Sequence, residues 1–360
     1  MRPAGDEELR RLRAAAQLLH RPRRRSAADL VRHLTGVQAQ VLSAAGLALR
    51  ARTGGLTRAK VDRARLHDRS IVLTWAMRGT LHLVAAEDHA WLVPLTTEPR
   101  VANALRRLAQ EGVPADGAER GVRAIARMLD AHGPLTRAEV ASRLRRHRVR
   151  TEGQAIAHLL WLAVAHGAAC HGPDGAFVSP GDWLPRSGPV DRDDALRELA
   201  VRYLRSHGPA APEDLAFWSG LRLTDARRAW GTVQAGLEEI RTERGGRMWS
   251  LKRRGERAPL GLVRLLPSFD EYLLGWRDRS FMATPTHWRE INRGGGWLHP
   301  VLLCDGIAAG RWSLEPEGRG RRAEVRPFGR LTSSVRRGVD AEARDIGRYL
   351  GEEVGLDVAS

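Results

Sequence analysis

The chain is 360 residues long, carries 59 basic and 42 acidic side chains for a formal charge of +17, and is 42% apolar. That apolar content excludes wholesale disorder, and the length favours two or three domains over one. The basic excess points to a polyanion, nucleic acid first among them. Only Lys60 and Lys252 are lysine, so part of the excess reflects an arginine-heavy composition and the charge alone does not establish DNA binding.

Two distant cysteines, Cys170 and Cys304, exclude a disulfide scaffold and imply a reducing setting. The N-terminal run is charged throughout and has no apolar core for a signal peptide. The longest uncharged apolar stretch, 155–170, is too short to span a bilayer. The sequence therefore reads as that of a cytoplasmic protein with no membrane partner.

In chain order, helices are expected over Ser26–Leu34, Ser43–Thr53 and Thr57–Leu66. Residues 71–84 then alternate apolar and polar side chains about Arg78-Gly79, as a hairpin does. Three helices followed by a hairpin is the order of a winged helix. Ala86–Leu95 and the segment after Pro99 read as connecting helices. Residues 122–144 and 197–221 form a weak repeat, each an amphipathic helix, a His-Gly-Pro (132–134 and 207–209) and a second helix. Thr136 and Glu139 have capping-box spacing, and Glu213 and Asp214 supply an acidic first turn in the second copy. Third helices follow at Glu152–His166 and Thr224–Glu239. Hairpins close each copy at 167–179 and 239–251, turning at Pro173-Asp174-Gly175 and Gly245-Gly246.

From Pro259 the texture changes to short strands, at 261–276, 299–314 and 323–331, and one final amphipathic helix at Val339–Gly351. The expected fold class is mainly α with β: tandem winged-helix motifs forming a concave DNA channel, plus a small β-rich, barrel-like C-terminal domain. The expected division is 1–115, 116–190 and 191–258 for the winged helices and 259–360 for the β-rich domain.

The missing motifs narrow the chemistry. There is no Gly-rich phosphate cradle, and Gly294–Gly296 lacks the strand-then-helix context of one. No Cys-x-x-Cys, His-Glu-x-x-His or Gly-x-Ser-x-Gly occurs, and His166 and His171 have no third ligand, so neither metal nor cofactor is expected. Gln38 and Gln40 stand out in a short link between two helices. Amides at i and i+2 share a face only if that link is extended. On the residues alone they serve either as helix caps and backbone partners or as a polar pair facing a substrate.

Arg78 at the first hairpin tip and His82 on the following strand are candidates for a groove or phosphate, or parts of an ordinary wing; Trp75 reads as core. Asp270 and Glu271, adjacent on an expected strand, face opposite sides and do not form a joint acid–base pair. Asp270 with Arg279 reads as an ion pair or a clamp on the N-terminal region, and Arg277 and Arg279 as phosphate contacts. The densest basic hairpin, 241–254, offers Arg244 and Arg247 to a groove and Lys252, Arg253 and Arg254 to the DNA backbone. Arg50 and Arg52, beside the glutamine pair, complete the DNA-binding candidates.

Three stretches, GVQAQ (36–40), TWAMRGTLHLVAAED (74–88) and LLPSFDEYLLGWRDRS (265–280), together resemble the winged-helix DNA glycosylases of the AlkZ/YcaQ type. The resemblance runs over nearly the whole chain. It implies three winged helices around a DNA channel and, as partner, double-stranded DNA containing alkylated or crosslinked purines; the irregular copies themselves point to a monomer wrapping one site rather than a dimer on two half-sites. It also implies that the family's catalytic Gln-x-Gln maps onto Gln38, Ala39 and Gln40, where Ala39 replaces a larger apolar residue. The implied reaction is hydrolysis of the N-glycosidic bond of bulky N7- or N3-alkylated purines, with unhooking of interstrand crosslinks. A glutamine cannot deprotonate water, but it can hold one against the sugar carbon by donating and accepting hydrogen bonds. That suffices when the leaving purine is already cationic and departs as a neutral base. The alternative is a non-catalytic winged-helix DNA-binding protein, a regulator or damage-recognition factor.

Overall fold

Side-chain caps start three of the helices in the first half of the chain, at Ser26, Thr57 and Thr136. The computed structural model describes residues 3–186, 188, 190–252, 255–318 and 320–359; Arg253 and Arg254 lie outside them. Helix α1 (Asp6–Ala16) opens with three acids against its positive end. Helix α2 (Ala27–Leu34) starts with a capping box between Ser26 and Asp29, and strand β1 (Val37–Gln38) follows. Helices α3 (Leu42–Arg50) and α4 (Arg58–Leu66, capped by Thr57) lead into the hairpin β2 (Ile71–Trp75) and β3 (Leu81–Ala85).

Helix α5 (His89–Gln110) is continuous, although the sequence suggested two helices broken near Pro99. Pro94 and Pro99 each remove one backbone donor, but the buried face of Leu92, Val93, Leu95, Ala104 and Leu108 holds the helix together. Then come α6 (Ala115–His132), α7 (Arg137–Arg146), α8 (Ala155–Ala165), β4 (Cys170–His171), β5 (Phe177–Val178) and the short α9 (Pro180–Trp183). The expected capping box of Thr136 and Glu139 opens α7. The third copy comprises α10 (Arg192–His207), α11 (Pro212–Ser219), α12 (Leu223–Val233), β6 (Leu237–Arg241) and β7 (Arg247–Leu251). The fold is tandem winged helix, and one feature of it is absent from the sequence reading. The first two hairpins fuse, through Leu73 on β2 opposite His171 on β4, into one sheet ordered β1-β3-β2-β4-β5.

The C-terminal region begins with β8 (Val263–Leu266), but 269–274 is not the expected strand. Phe269 sits in the left-handed region (φ 60°), and Asp270 accepts from the Tyr272 amide to cap a short helix α13 (Glu271–Leu274). Helix α14 (Pro285–Ile291) and the ribbon β9 (Asn292–Gly294) with β10 (Trp297–Leu298) follow. Strands β11 (Val301–Cys304), β12 (Ile307–Glu317) and β13 (Gly320–Pro327) are antiparallel neighbours. Helix α15 (Ser333–Leu350) starts at the Thr332 cap, six residues before the expected Val339, because its first turn offers the core almost nothing apolar to read. It carries the chain back to β14 (Val354–Val358), which pairs parallel to β13, as a helical crossover permits. The sheet order β14-β13-β12-β11-β8 is open, not closed into a barrel. Helix α15 also touches α3, where Gly46 leaves room for the Tyr349 hydroxyl that a Cβ would overlap.

Sealed charges join the two ends of the chain. Arg52 and Asp270 are fully buried and meet through two hydrogen bonds of 2.7 and 2.8 Å, and Arg52 also donates to Gln17 Oε1 at 2.6 Å. Asp270 is thus a clamp on the N-terminal region, as one sequence reading had it, but through Arg52 and not Arg279. Breaking this pair leaves a charge stranded, so Arg52→Ala is expected to cost about 3–5 kcal/mol. The paired change Arg52→Met with Asp270→Leu is expected to recover most of that, both read by urea denaturation.

Three histidines about the fused sheet, His82 and His89 buried and His171 half-buried, are held neutral. Burial pushes His82 down to about 3, with the Arg78 charge adding to the effect, and pushes His89 and His171 to about 4. Below an unfolded value of about 6.5, the unfolded chain binds protons that the folded chain refuses. Stability present above that pH is therefore expected to fall as pH drops toward the folded values. A melting temperature that stays level between pH 7 and pH 5 would contradict this.

Candidate active site

The Gln38–Gln40 link is extended because β1 is an edge strand of the fused sheet. Gln38 lies opposite His82, Val37 opposite Leu83, and the Ala39 amide donates to Leu81 O at 2.7 Å. The turn from α2 into β1 needs Gly36: its φ is +134°, and a Cβ would lie 2.7 Å from Met77 Cε. The two glutamines are not equivalent. Gln38 is 6% exposed, whereas Gln40 is open to solvent just before α3.

Gln38 is gripped from two sides. Its backbone N–H donates to Glu271 Oε1 at 2.8 Å, and its side-chain Oε1 accepts from Arg78 Nη2 at 2.6 Å. The other oxygen of Glu271 accepts from Trp218 Nε1 at 2.9 Å, and Arg78 Nη1 donates to Trp218 O. Gln38, Arg78, Trp218 and Glu271, from three parts of the chain, therefore close a ring of hydrogen bonds.

The ring's electrostatics follow from burial. Glu271 is fully sealed, and that burial raises its carboxyl above the ordinary value. Arg78, the Trp218 indole and the Gln38 N–H pull in the opposite direction. Both oxygens of Glu271 accept an N–H, which suits the ionised form. Burial lowers the Arg78 guanidinium to about 10, so it remains charged at neutral pH. Arg78 itself is a non-glycine residue with φ 58°, a left-handed conformation that its contacts must hold in place. Arg100 also donates to Gly220 O at 3.2 Å, so two arginines neutralise the negative C-terminal end of α11.

Of the DNA-binding candidates, three are withdrawn from the surface and a fourth, Arg78, is half-buried. Arg78 is committed to the ring. His82 is sealed, with Nδ1 2.9 Å from Thr80 O. Arg50 is sealed against Glu342 (2.9 Å), Asp345 (3.2 Å) and Leu265 O (2.9 Å), and Arg52 against Asp270. Their positions near the glutamines reflect packing between the ends of the chain. Arg244, Arg247, Lys252 and Arg277 are exposed. Arg244 donates to Ser280 Oγ at 2.7 Å and pairs with Asp6; Lys252 donates to Ala235 O at 2.8 Å. Arg279 is half-buried between the Phe217 and Trp288 rings, 4.9 and 4.6 Å from their centroids.

Sequence reasoning missed Glu271 and Trp218. It took 269–274 for a strand and so set Glu271 aside. The available signal was a carboxylate inside an apolar run, because a buried acid must find charge or donors. Trp218 carried no such mark, since its role depends on α11 packing against the Arg78 tip.

The comparisons with known proteins point to one family. The family described as "DNA glycosylase AlkZ-like" matches residues 31–349. An interstrand DNA cross-link repair glycosylase of Streptomyces sahachiroi is 31% identical over 91% of this chain and 91% of its own length. The solved structure of the Streptomyces sahachiroi DNA glycosylase AlkZ superposes with a TM-score of 0.85 at 28% identity, covering 99% of this chain and 100% of that one. With a winged-helix fold, a Gln-x-Gln edge strand and these relatives in agreement, the chain belongs to the AlkZ-like DNA glycosylase family.

Proposed function

We propose that this chain is a monofunctional DNA glycosylase that hydrolyses the N-glycosidic bond of bulky N7- or N3-alkylated purines in duplex DNA and unhooks interstrand crosslinks. In this reading Gln38 and Gln40 are catalytic, the protein acts as a monomer on cytoplasmic DNA, and the chain divides into modules at 1–115, 116–190, 191–258 and 259–360. The observation that carries it is the Gln38 amide, clamped by Arg78 on an edge strand with the exposed Gln40 two residues on.

The chemistry suits neutral amides. As the C1′–N bond breaks, its electron pair goes to the purine, which loses its positive charge and leaves as a neutral base. The sugar becomes oxocarbenium-like and is stabilised by dipoles and by the flanking phosphates. Water adds to C1′ and releases its proton to solvent, so no side chain has to act as acid or base. Because Gln40 is exposed, attack does not require the base to be drawn into an enclosed pocket, a step that a base tethered to the opposite strand could not make.

The double variant Gln38→Ala with Gln40→Ala is expected to slow single-turnover release of N7-alkylguanine by about 100-fold or more, with little change in DNA affinity. Wild-type release from that variant would remove the catalytic assignment, and binding without release by the wild type would favour a non-catalytic binder. The exposed wing should carry the phosphate contacts. Arg247→Ala is expected to reduce the slope of log K against log salt by about 1, whereas Arg50→Ala should lower stability and leave that slope unchanged.

A further inference from the structure

Gln38 and Gln40 differ in what they can offer a water molecule. A guanidinium has donors and no acceptor, so the amide atom 2.6 Å from Arg78 Nη2 is necessarily Oε1. Arg78 thereby occupies the acceptor end of Gln38, and among the described residues nothing accepts from Nε2. The backbone of Gln38 is pinned as well, by Glu271 Oε1 at 2.8 Å. Glu271 is held in turn by Trp218 Nε1 at 2.9 Å. Gln40 has neither restraint: it is exposed, and no described residue engages its amide.

We propose that the pair is divided into a donor and an acceptor, and that Arg78 and Glu271 are the positioning residues that impose this division. The proposal rests on the reading of Gln38 and Gln40 as catalytic. Gln38 donates through Nε2 to one lone pair of the attacking water and fixes its place. The second lone pair forms the bond to C1′ as the C1′–N pair departs with the purine. Gln40 Oε1 accepts an O–H of the same water. From that exposed position the proton passes to solvent once the C1′–O bond has formed. Glu271 touches neither water nor sugar; it acts through the Gln38 backbone and through Arg78, whose charge it balances.

The test is a set of carboxylate exchanges in the full-length protein, read by single-turnover base release from a duplex holding one N7-alkylguanine, together with affinity for that duplex. A glutamate accepts and does not donate. Gln40→Glu is therefore expected to release base about tenfold faster than Gln40→Ala, while Gln38→Glu is no faster than Gln38→Ala. Glu271→Gln puts an amide N–H where Gln38 N or Trp218 Nε1 already donates. It is expected to slow release without weakening DNA binding, and to add nothing in a Gln38→Ala background. Should that variant fail to fold, Arg78→Lys, which keeps the charge but gives up the fork to Gln38 and Trp218, carries the same test.

Equal behaviour of the two glutamate variants, each measured against its own alanine variant, overturns the division. Losses from Glu271→Gln, or from Arg78→Lys in its place, that add to those of Gln38→Ala overturn the positioning role. If neither alanine variant slows release, the catalytic reading itself fails, an outcome distinct from both.

Discussion

A charge sealed from water must meet an opposite charge or a set of donors, and the arrangement of this protein follows from how that demand is met. Glu271, Asp270, Arg50 and Arg52 are all buried, and each finds its partners in a distant part of the chain. Asp270 and Glu271 are adjacent, yet one turns to Arg52 just after α3 and the other to Gln38 on the edge strand β1. Two neighbouring carboxylates thus fix both the seat of the C-terminal region and the position of the glutamine link. Such pairs add little net stability, because desolvation offsets much of the attraction. We read their effect here as one of register: an error of one residue would leave two charges unpaired in the interior.

The same constraint makes the site a product of assembly. Gln38 comes from β1, Trp218 from α11 and Glu271 from α13. None of these residues can complete the ring until α11 rests on the Arg78 tip. Gly220 permits that close approach, since a Cβ there would lie 3.0 Å from the Arg78 amide. The fold and the site are therefore not separable layers. The contact that seats α11 is also the contact that holds Arg78 against the Gln38 amide.

Most helices could be read from the sequence because their signals are local: caps such as Thr136 with Glu139, turn glycines, and apolar stripes one helical turn apart. The Gln38–Gln40 link was legible for the same reason, and its family resemblance supplied a role. What stayed hidden depends on tertiary contact. Arg50 and Arg52 look like surface arginines until Glu342, Asp345 and Asp270 arrive from residues 270–345. The apolar run at 269–274 reads as a strand, and only the left-handed Phe269 and the Asp270 cap make it a helix. β14 was missed because a short edge strand needs the α15 crossover to place it beside β13.

The charge of +17 can now be divided by role. Arg13, Arg50 and Arg52 are sealed, and each guanidinium engages several partners at once: Arg13 lies 4.7 and 4.2 Å from the Trp276 and Phe281 ring centroids and also donates to Pro209 O. An ammonium cannot span such sets, so part of the arginine bias is structural in origin and says nothing about DNA. Arg78 makes the sharper case. A bare cation beside the reacting sugar would oppose an oxocarbenium ion, the species that the proposed reaction must form. Glu271 supplies an opposing charge to Arg78, so the guanidinium that donates to Gln38 is offset by a buried carboxylate that also holds the Gln38 backbone.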